Sequence, residues 1–383
     1  MFGLSKRRVV LVGVILLMAV AAGAFSLGGA PALATFAVST VALAGLAWLV
    51  SVATEAIGEH FGPAVTGVLQ STLGNLPELF VVFFALKAGE LVVAQTSILG
   101  SLFANALLVL GAVILVGSRR SPDRVMRFKA RLPKDTTTLL MMAVFIIALL
   151  GLAVGTGDRA AKHEVAISAF GAVALIVVYV TWLIRYLRDD RAARPEAPAS
   201  GAPLEARPPS EVGPPSEAGE PVATIASEYG TVLAMPVAIT LLTVAGVGAA
   251  LVSDWFIGAL DPAIHTLHLS KPFAGLVIVA IAGNAVENVA GIVLASKGDS
   301  DLAISVVKNS VSQVAVFLFP ALVLLSLFLT THLVLQVTPI YLGALVLTAL
   351  ALWQITGDGE AYAFEGLTLI AMYAILAVFA YFE

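Results

Sequence analysis

Long blocks of Leu, Val, Ala, Ile, Phe and Gly alternate with short polar joints along nearly the whole chain. The apolar runs are continuous rather than alternating residue by residue. They predict helices that meet the requirement of about 20 residues for a bilayer, and they argue against a closed β-barrel. The first block runs from Val9 to about Ala24, behind Lys6, Arg7 and Arg8. Ala22-Gly23-Ala24 has the small-x-small form of a signal-peptide cleavage site, but a retained first helix is the preferred reading. Ten further spans start near Pro31, Pro63, Leu91, Thr136, His163, Thr231, Pro272, Asp301, Leu333 and Ala361. The expected fold is an all-α integral membrane protein of about eleven transmembrane helices.

Only one stretch breaks the pattern at length. From about Asp189 to Pro221 the chain is rich in Pro, Glu, Ala, Ser and Gly, as in Pro208-Pro209-Ser210-Glu211 and Pro214-Pro215-Ser216-Glu217. Such a segment reads as a disordered, solvated tether, and regulation by weak calcium binding to its acidic residues is the lesser alternative. The expected organisation is an N-terminal helix (1–30), a first five-helix unit (31–188), a linker (189–222) and a second five-helix unit (223–383).

Inside the apolar blocks a small polar pattern occurs twice. Gly74-Asn75-Leu76-Pro77-Glu78 is matched by Gly283-Asn284-Ala285-Val286-Glu287, 209 residues on, and the same offset carries Gly89 to Gly298, Ala94 to Ala303 and Ser101 to Ser310. One unbroken offset marks an internal repeat. Glu78 falls on the third span and Glu287 on the eighth, so the two helices run in opposite directions and the repeat is inverted. Secondary transporters are often built this way, with the substrate site at the midplane between the repeats. Each Glu lies roughly 20 Å along its span at the helical rise, so the two are expected to meet near mid-membrane.

Composition and charge narrow the picture. The chain of 383 residues is 59% apolar and 12% charged, far from any soluble domain of that size. It has no cysteine, which removes disulfides, thiolate metal sites and thiol catalysis together. Basic residues gather before the first span, between the fourth and fifth (Arg119, Arg120, Arg124, Arg127, Lys129, Arg131, Lys134) and after the sixth (Arg185, Arg188, Arg191, Arg194). Eleven spans place all three groups on one side, which is then cytoplasmic. The amino terminus is expected inside and the carboxyl terminus outside, in the inner or plasma membrane.

The knots carry chemistry. Gly beside Asn weakens a helix and frees carbonyl oxygens to turn toward an ion. Asn75, Asn284, Ser97, Ser101, Ser310, Ser312 and Gln313 supply neutral oxygens around Glu78 and Glu287. Two carboxylates with neutral oxygens suit a hard cation such as calcium, and the lack of sulfur and of a histidine cluster argues against zinc or copper. Burial disfavours a bare carboxylate, so each Glu is expected to hold either a cation or a proton, and the two compete. A buried neutral Glu pair without a transport role is the plainer alternative, and the repeat weighs against it.

Gly74-Asn75-Leu76-Pro77-Glu78-Leu79, Ala85-Leu86-Lys87-Ala88-Gly89, Ser97-Ile98-Leu99-Gly100-Ser101 and Asn105-Ala106-Leu107-Leu108-Val109-Leu110-Gly111 resemble the first α-repeat of the calcium/proton antiporters. These belong to the cation/calcium exchanger superfamily. Asp301-Leu302-Ala303, Ser310, Gln313 and Phe317-Leu318-Phe319-Pro320 resemble their second repeat, and Thr54-Glu55, Gly58-Glu59 and Gly62 are also similar to the family. The resemblance covers roughly 54–115 and 280–325 and agrees with a layout of one helix plus two sets of five. It implies that Glu78 and Glu287 carry the cation and the protons, with Asn75, Asn284, Ser97, Ser101, Asn105, Ser310 and Gln313 as supporting ligands or gates. It implies calcium as the transported substrate, no cofactor and no enzymatic activity. The partners are then inorganic cations, protons and the lipid bilayer, with no nucleic acid.

Departures from the family pattern bear on ion preference. Gln70 stands where Asn is common, and Asn288 takes the place of a frequent His and cannot titrate near neutral pH. Lys308 replaces an apolar residue ~10 Å inside its span, where it is expected to snorkel to the cytoplasm. The sharper alternative has its ammonium approach Glu287 as a built-in counter-cation. Glu55 and Glu59, one turn apart, either feed cations inward or form a solvated helix end. His265 and His268 are too few for a metal site, and Asp358 and Glu360 read as a solvated turn between Gly357 and Gly359.

The expected function is calcium/proton antiport by alternating access. The alternatives are sodium or potassium antiport against protons, sodium-coupled calcium exchange and, more remotely, a cation channel or an intramembrane hydrolase. The hydrolases with paired carboxylates use aspartates, and no serine–histidine or metal-hydrolase motif is evident here.

Overall fold

The computed structural model of the protein describes residues 6–58, 60–61, 69, 72–193 and 233–383, without the side chains of 6–8, 131–132, 187, 189–193 and 285–288. Its helices are Lys6–Leu27 (α1), Ala32–Gly58 (α2), Leu76–Lys87 (α3), Leu91–Arg120 (α4), Arg131–Thr156 (α5) and Glu164–Ala193 (α6). After the linker come Met235–Leu267 (α7), Lys271–Gly283 (α8), Ala285–Lys297 (α9), Ser300–Ser326 (α10), Pro339–Thr356 (α11) and Ala363–Phe382 (α12). Among the described residues nine helices are long and apolar enough to cross a membrane. α3, α8 and α9 are shorter, and they are the pieces that flank the two Gly-Asn knots. The membrane class expected from the apolar blocks is therefore the class observed.

The differences from the expected spans have local causes. The tenth span begins at Pro339 rather than near Leu333, because Pro339 is pre-set for the first helical position behind an extended Thr338. The segment before it stays irregular, yet Leu333, Leu335 and Val337 are buried. Its backbone is satisfied by side chains instead: Leu333 N–H donates to Ser326 Oγ at 2.8 Å and Leu335 N–H to Ser168 Oγ at 3.0 Å. α6 runs to Ala193, past Arg185, Arg188 and Arg191, which were expected to follow it. The linker expected at 189–222 thus begins as helix through Ala193, and its residues 194–222, the starts expected near Pro63 and Thr231, and the residues Glu59 and Gln70 lie outside the described residues.

The 209-residue offset reappears in the backbone. α3 starts at Leu76 and α9 at Ala285, while α4 starts at Leu91 and α10 at Ser300. Each short helix stops at a glycine in the left-handed region, Gly89 at φ 82° and Gly298 at φ 95°, a turn only glycine makes without strain. α4 and α10 both widen into a π-helical turn one residue or so beyond the repeat, at Ala104–Val109 and Val314–Leu318.

These two helices are the most buried of the spans, and the others wrap them. α2 packs along α7, with α1 against α2 on the outside. The first half of α4 lies on α8 and its second half on α12, while α10 packs against α5 and α9. At one end of the bundle Val125–Arg127 (β1) pairs antiparallel with Glu360–Tyr362 (β2), tying the loop after α4 to the loop before α12. Asp358 and Glu360, expected to be merely solvated, hold this tie: Arg127 Nε donates to Glu360 Oε1 at 3.1 Å and Asp358 Oδ1 accepts the Glu360 N–H. Arg127 also bonds Asp123, and its guanidinium holds that carboxyl below the usual carboxylate range.

Candidate cation-binding site

Each knot is a place where a helix is interrupted and restarts. Asn75 (φ −84°, ψ 8°) and Asn284 (φ −104°, ψ 13°) both sit in the sparsely populated bridge region, immediately before the first residue of α3 and α9. At Asn284 the incoming chain is still helical, so the span made of α8 and α9 is one broken helix. Glu78 and Glu287 are the third residues of the new helices. Free N–H groups and the positive end of the helix dipole gather there, which favours a negative group in an otherwise apolar setting.

The two knots meet in space. Glu78 is 3% exposed, and a Cβ placed on Gly283 would lie 3.9 Å from the Cβ of Glu78. Gly283 begins the second knot, so the base of the Glu78 side chain lies beside the turn that precedes Glu287. The backbone of Glu287 is helical in α9; its side chain and that of Asn288 lie outside the described residues.

The neutral groups divide into two kinds. Asn284 Nδ2 donates to Ser101 Oγ at 2.7 Å and to the Ala280 carbonyl at 3.0 Å, so the second knot is bonded to α4 of the first half. Asn105 Nδ2 donates to Ser310 Oγ at 3.0 Å, joining α4 to α10. Asn105 lies in the π-helical turn, a widening that re-aims side chains and recurs at functional sites. Ser97, by contrast, spends its hydroxyl proton on its own helix, donating to the Val93 carbonyl at 2.6 Å. Ser312 shares its hydroxyl proton between the Lys308 carbonyl of its own helix at 3.0 Å and the Thr136 carbonyl of α5 at 2.9 Å. Asn75, Ser97, Ser101, Asn105, Ser310, Ser312 and Gln313 are all buried. Among the described residues no three His, Asp or Glu side chains come together as a metal cluster, and His265 is exposed, facing Asp261 at 3.7 Å.

The structure corrects two expectations about charged residues. Lys308 does not reach solvent: it is 1% exposed, and its ammonium donates to Thr137 Oγ1 and, at 2.6 Å, to Thr356 Oγ1. Those hydroxyls belong to the first turns of α5 and the last residue of α11, so the lysine leans toward the helix ends but finds a protein-lined nest there rather than water. Lys308 and Ser310 are two residues apart, roughly 200° around the helix, so the nest is on the face of α10 turned away from Ser310. Glu55, read as a solvated helix end or an inward feeder, is 2% exposed within the last turn of α2, which removes the solvated reading.

Sequence reasoning passed over Thr137 and Thr356, as well as a charged group at the opposite end of the bundle. There Lys271 Nζ lies 2.8 and 3.0 Å from the two oxygens of Glu90 and 2.9 Å from Asp261 Oδ1. Single Lys, Glu and Asp residues at helix ends carry no pattern, so no signal in the chain would have joined them.

With this geometry in hand, comparison with known proteins is decisive. The profile of the family described as sodium/calcium exchanger protein matches residues 31–187 and 237–382, nearly all of the chain outside α1 and the linker. The chain belongs to this family. The vacuolar calcium ion transporter of Schizosaccharomyces pombe is 31% identical over 91% of this chain and 78% of its own length. The Ca(2+)/H(+) antiporter ChaA of Bacillus subtilis is 31% identical over 91% of this chain and 92% of its own. The solved structure of native YfkE superposes with a TM-score of 0.73 at 26% identity, covering 96% of this chain and all of that one. The chain thus sits among the calcium/proton antiporters of the cation/calcium exchanger superfamily, as the Gly74–Gly111 motifs implied.

Proposed function

We propose that this family member is a secondary active Ca2+/H+ antiporter in which one cation and protons compete for Glu78 and Glu287 by alternating access. One observation carries the reading: a buried Glu78, in the first turn of a restarted helix, packs against Gly283 of the second knot. Relatives that are calcium/proton antiporters along most of their length support calcium as the substrate. In this reading Ser101, Ser310, Asn75, Asn284, Asn105 and Gln313 line or gate the site. Ser97 supports α4 from within, and Glu55, in the last turn of α2, feeds cations inward.

The architecture proposed with it is one helix (1–30), five spans (31–188), a cytoplasmic linker (189–222) and five inverted spans (223–383). Counting α8 and α9 as one broken span and α3 as the described end of another supports eleven. The basic residues support an inside amino terminus and an outside carboxyl terminus in a cell membrane. No cofactor is proposed, since calcium is the cargo.

Purified protein in liposomes with a trapped pH dye tests the reading. Addition of calcium is expected to move protons transiently until the gradient is spent, more slowly at lower pH because protons occupy the same carboxylates. Sodium, potassium and magnesium are run in parallel. Proton movement with sodium or potassium but none with calcium would make the chain a monovalent cation exchanger, and gradient-insensitive conductance would make it a channel.

A further inference from the structure

The packing of α4 on α8 has a direction. Both chains run the same way: Glu90 meets Lys271, Thr96 meets Gly275, Gly100 meets Leu276 and Ala280, and Ser101 meets Asn284. A Cβ on Gly275 would collide with the Thr96 hydroxyl, and one on Gly100 with the Leu276 carbonyl, so the two backbones touch with no space between them. The seam therefore starts at the candidate cation site and is closed all the way to one end of the bundle. That end holds the carboxyl terminus, since Ser270 Oγ donates to the Ala380 carbonyl at 2.5 Å.

At the mouth of this seam Lys271 is shared by carboxylates from two other elements. Glu90 immediately precedes α4, and Asp261 lies near the end of α7. The group is partly solvated, with side-chain exposures of 37% for Lys271, 24% for Glu90 and 46% for Asp261. Ion pairs in that setting are weak, so they can hold a contact closed and still open on each cycle. The opposite end of the repeat does not reproduce it: 209 residues before Lys271 stands Gly62, and the counterpart of Glu90 is Asp299.

We propose that Lys271, Glu90 and Asp261 form the outer latch of the transport cycle, holding α4 against α8 while the cation site faces the other side. The proposal rests on the antiport reading for its purpose but not for its test. Opening the outer path parts Lys271 from Glu90, unzips the glycine-lined seam and exposes Ser101 and Asn284 to the carboxyl-terminal side.

The absence of cysteine allows a clean reporter. Thr96→Cys places a thiol of nearly the same size inside the seam, and a membrane-impermeant thiol reagent is added from the carboxyl-terminal side of oriented vesicles. Adding Lys271→Met is expected to speed labelling about fivefold, the order set by removing a pair of partly exposed ion pairs from a two-state opening. Glu90→Gln should act likewise and serves if Lys271→Met does not fold, while the conservative Lys271→Arg, which can still pair with both Glu90 and Asp261, should keep the slow rate. Equal labelling with and without the latch overturns the proposal. Proton flux driven by calcium is measured separately on the unaltered chain. Faster labelling without such flux keeps the latch and removes the antiport reading; intact flux with unchanged labelling removes the latch alone.

Discussion

Leu99 and Lys308 occupy the same position in the central helices of the two halves, 209 residues apart, and both are 1% exposed. Around them the halves diverge in kind. α4 is bare at this level: Gly100 lets the backbone of α8 come into contact, and the helix is held by close packing. α10 carries Asn309 in place of Gly100 and Ser312 in place of Phe103, and it is held by polar bonds. Lys308 reaches Thr137 on α5 and Thr356 on α11, and Ser312 Oγ lies 2.9 Å from the Thr136 carbonyl. One backbone plan has thus been fastened in two ways, by dispersion between small residues on one side and by hydrogen bonds on the other. Along Gly100 and Gly275 the first kind parts without leaving a polar group unpaired, and the polar pairs at its two ends, Ser101 with Asn284 and Glu90 with Lys271, lie at the candidate site and at a partly exposed mouth, whereas parting the second strands an ammonium inside the bundle. The difference assigns the easier movement to the α4–α8 seam and the fixed frame to α10 with α5 and α11.

The largest test asks whether the two carboxylates are equals. Glu78→Gln and Glu287→Gln each keep the shape and remove the charge. Each is expected to lower calcium-driven proton flux by roughly 100-fold or more, in line with the ~3–5 kcal/mol lost when a buried charge, here the bound cation, loses an oppositely charged partner. Flux in liposomes at matched protein amounts checks this. Full activity in either variant would end the paired mechanism, and activity in one alone would show that the halves differ in chemistry as well as in fastening.

A reciprocal exchange tests the fastening itself. Gly100→Asn installs in α4 the residue that α10 bears, and its side chain would drive into the Leu276 backbone, so a loss of about 1–3 kcal/mol or more is expected. Asn309→Gly, at a half-buried position, should cost only a few tenths of a kcal/mol through helix propensity, roughly the gap between the two residues. Thermal unfolding of the detergent-purified variants compares them. Similar losses in both would show that α4 is no more closely packed than α10.

Much of this was legible in the chain because the informative residues are rare in their surroundings. A carboxylate, an Asn and a Gly inside an apolar block mark a break in a helix, and the breaks fall at Asn75 and Asn284 as the two knots implied. The family followed from the same motifs. What stayed hidden depends on neighbours that are distant in sequence. The fate of Lys308 was settled by Thr137, 171 residues away, and by Thr356, 48 away. Glu55 looks like a helix end by position and is buried only because other helices close around α2. The β1–β2 tie is built from two strands of three residues, too short for any alternation to show.

Lys308→Leu gives the smallest expected effect, and it is the substitution that makes the two halves alike. The two threonine hydroxyls do not need the lysine: Thr137 Oγ1 already donates to the Pro133 carbonyl at 2.7 Å and Thr356 Oγ1 to the Leu352 carbonyl at 2.6 Å. They lose an incoming donor and keep their own bonds, so no buried donor is stranded. Replacing a buried charge with an apolar side chain of similar volume is often neutral or stabilising, and a change between zero and a gain of about 1 kcal/mol is expected here. Because the nest lies on the face of α10 opposite Ser310, ion selectivity and the pH profile of exchange should stay within a few-fold of the parent, the range of a screened distant charge. Flux with calcium, sodium and potassium across a pH series reads this directly. A shift of preference from sodium or potassium toward calcium would mean that the ammonium reaches the cation after all, and that its departure from the apolar Leu99 pattern serves selectivity rather than the anchoring of α10.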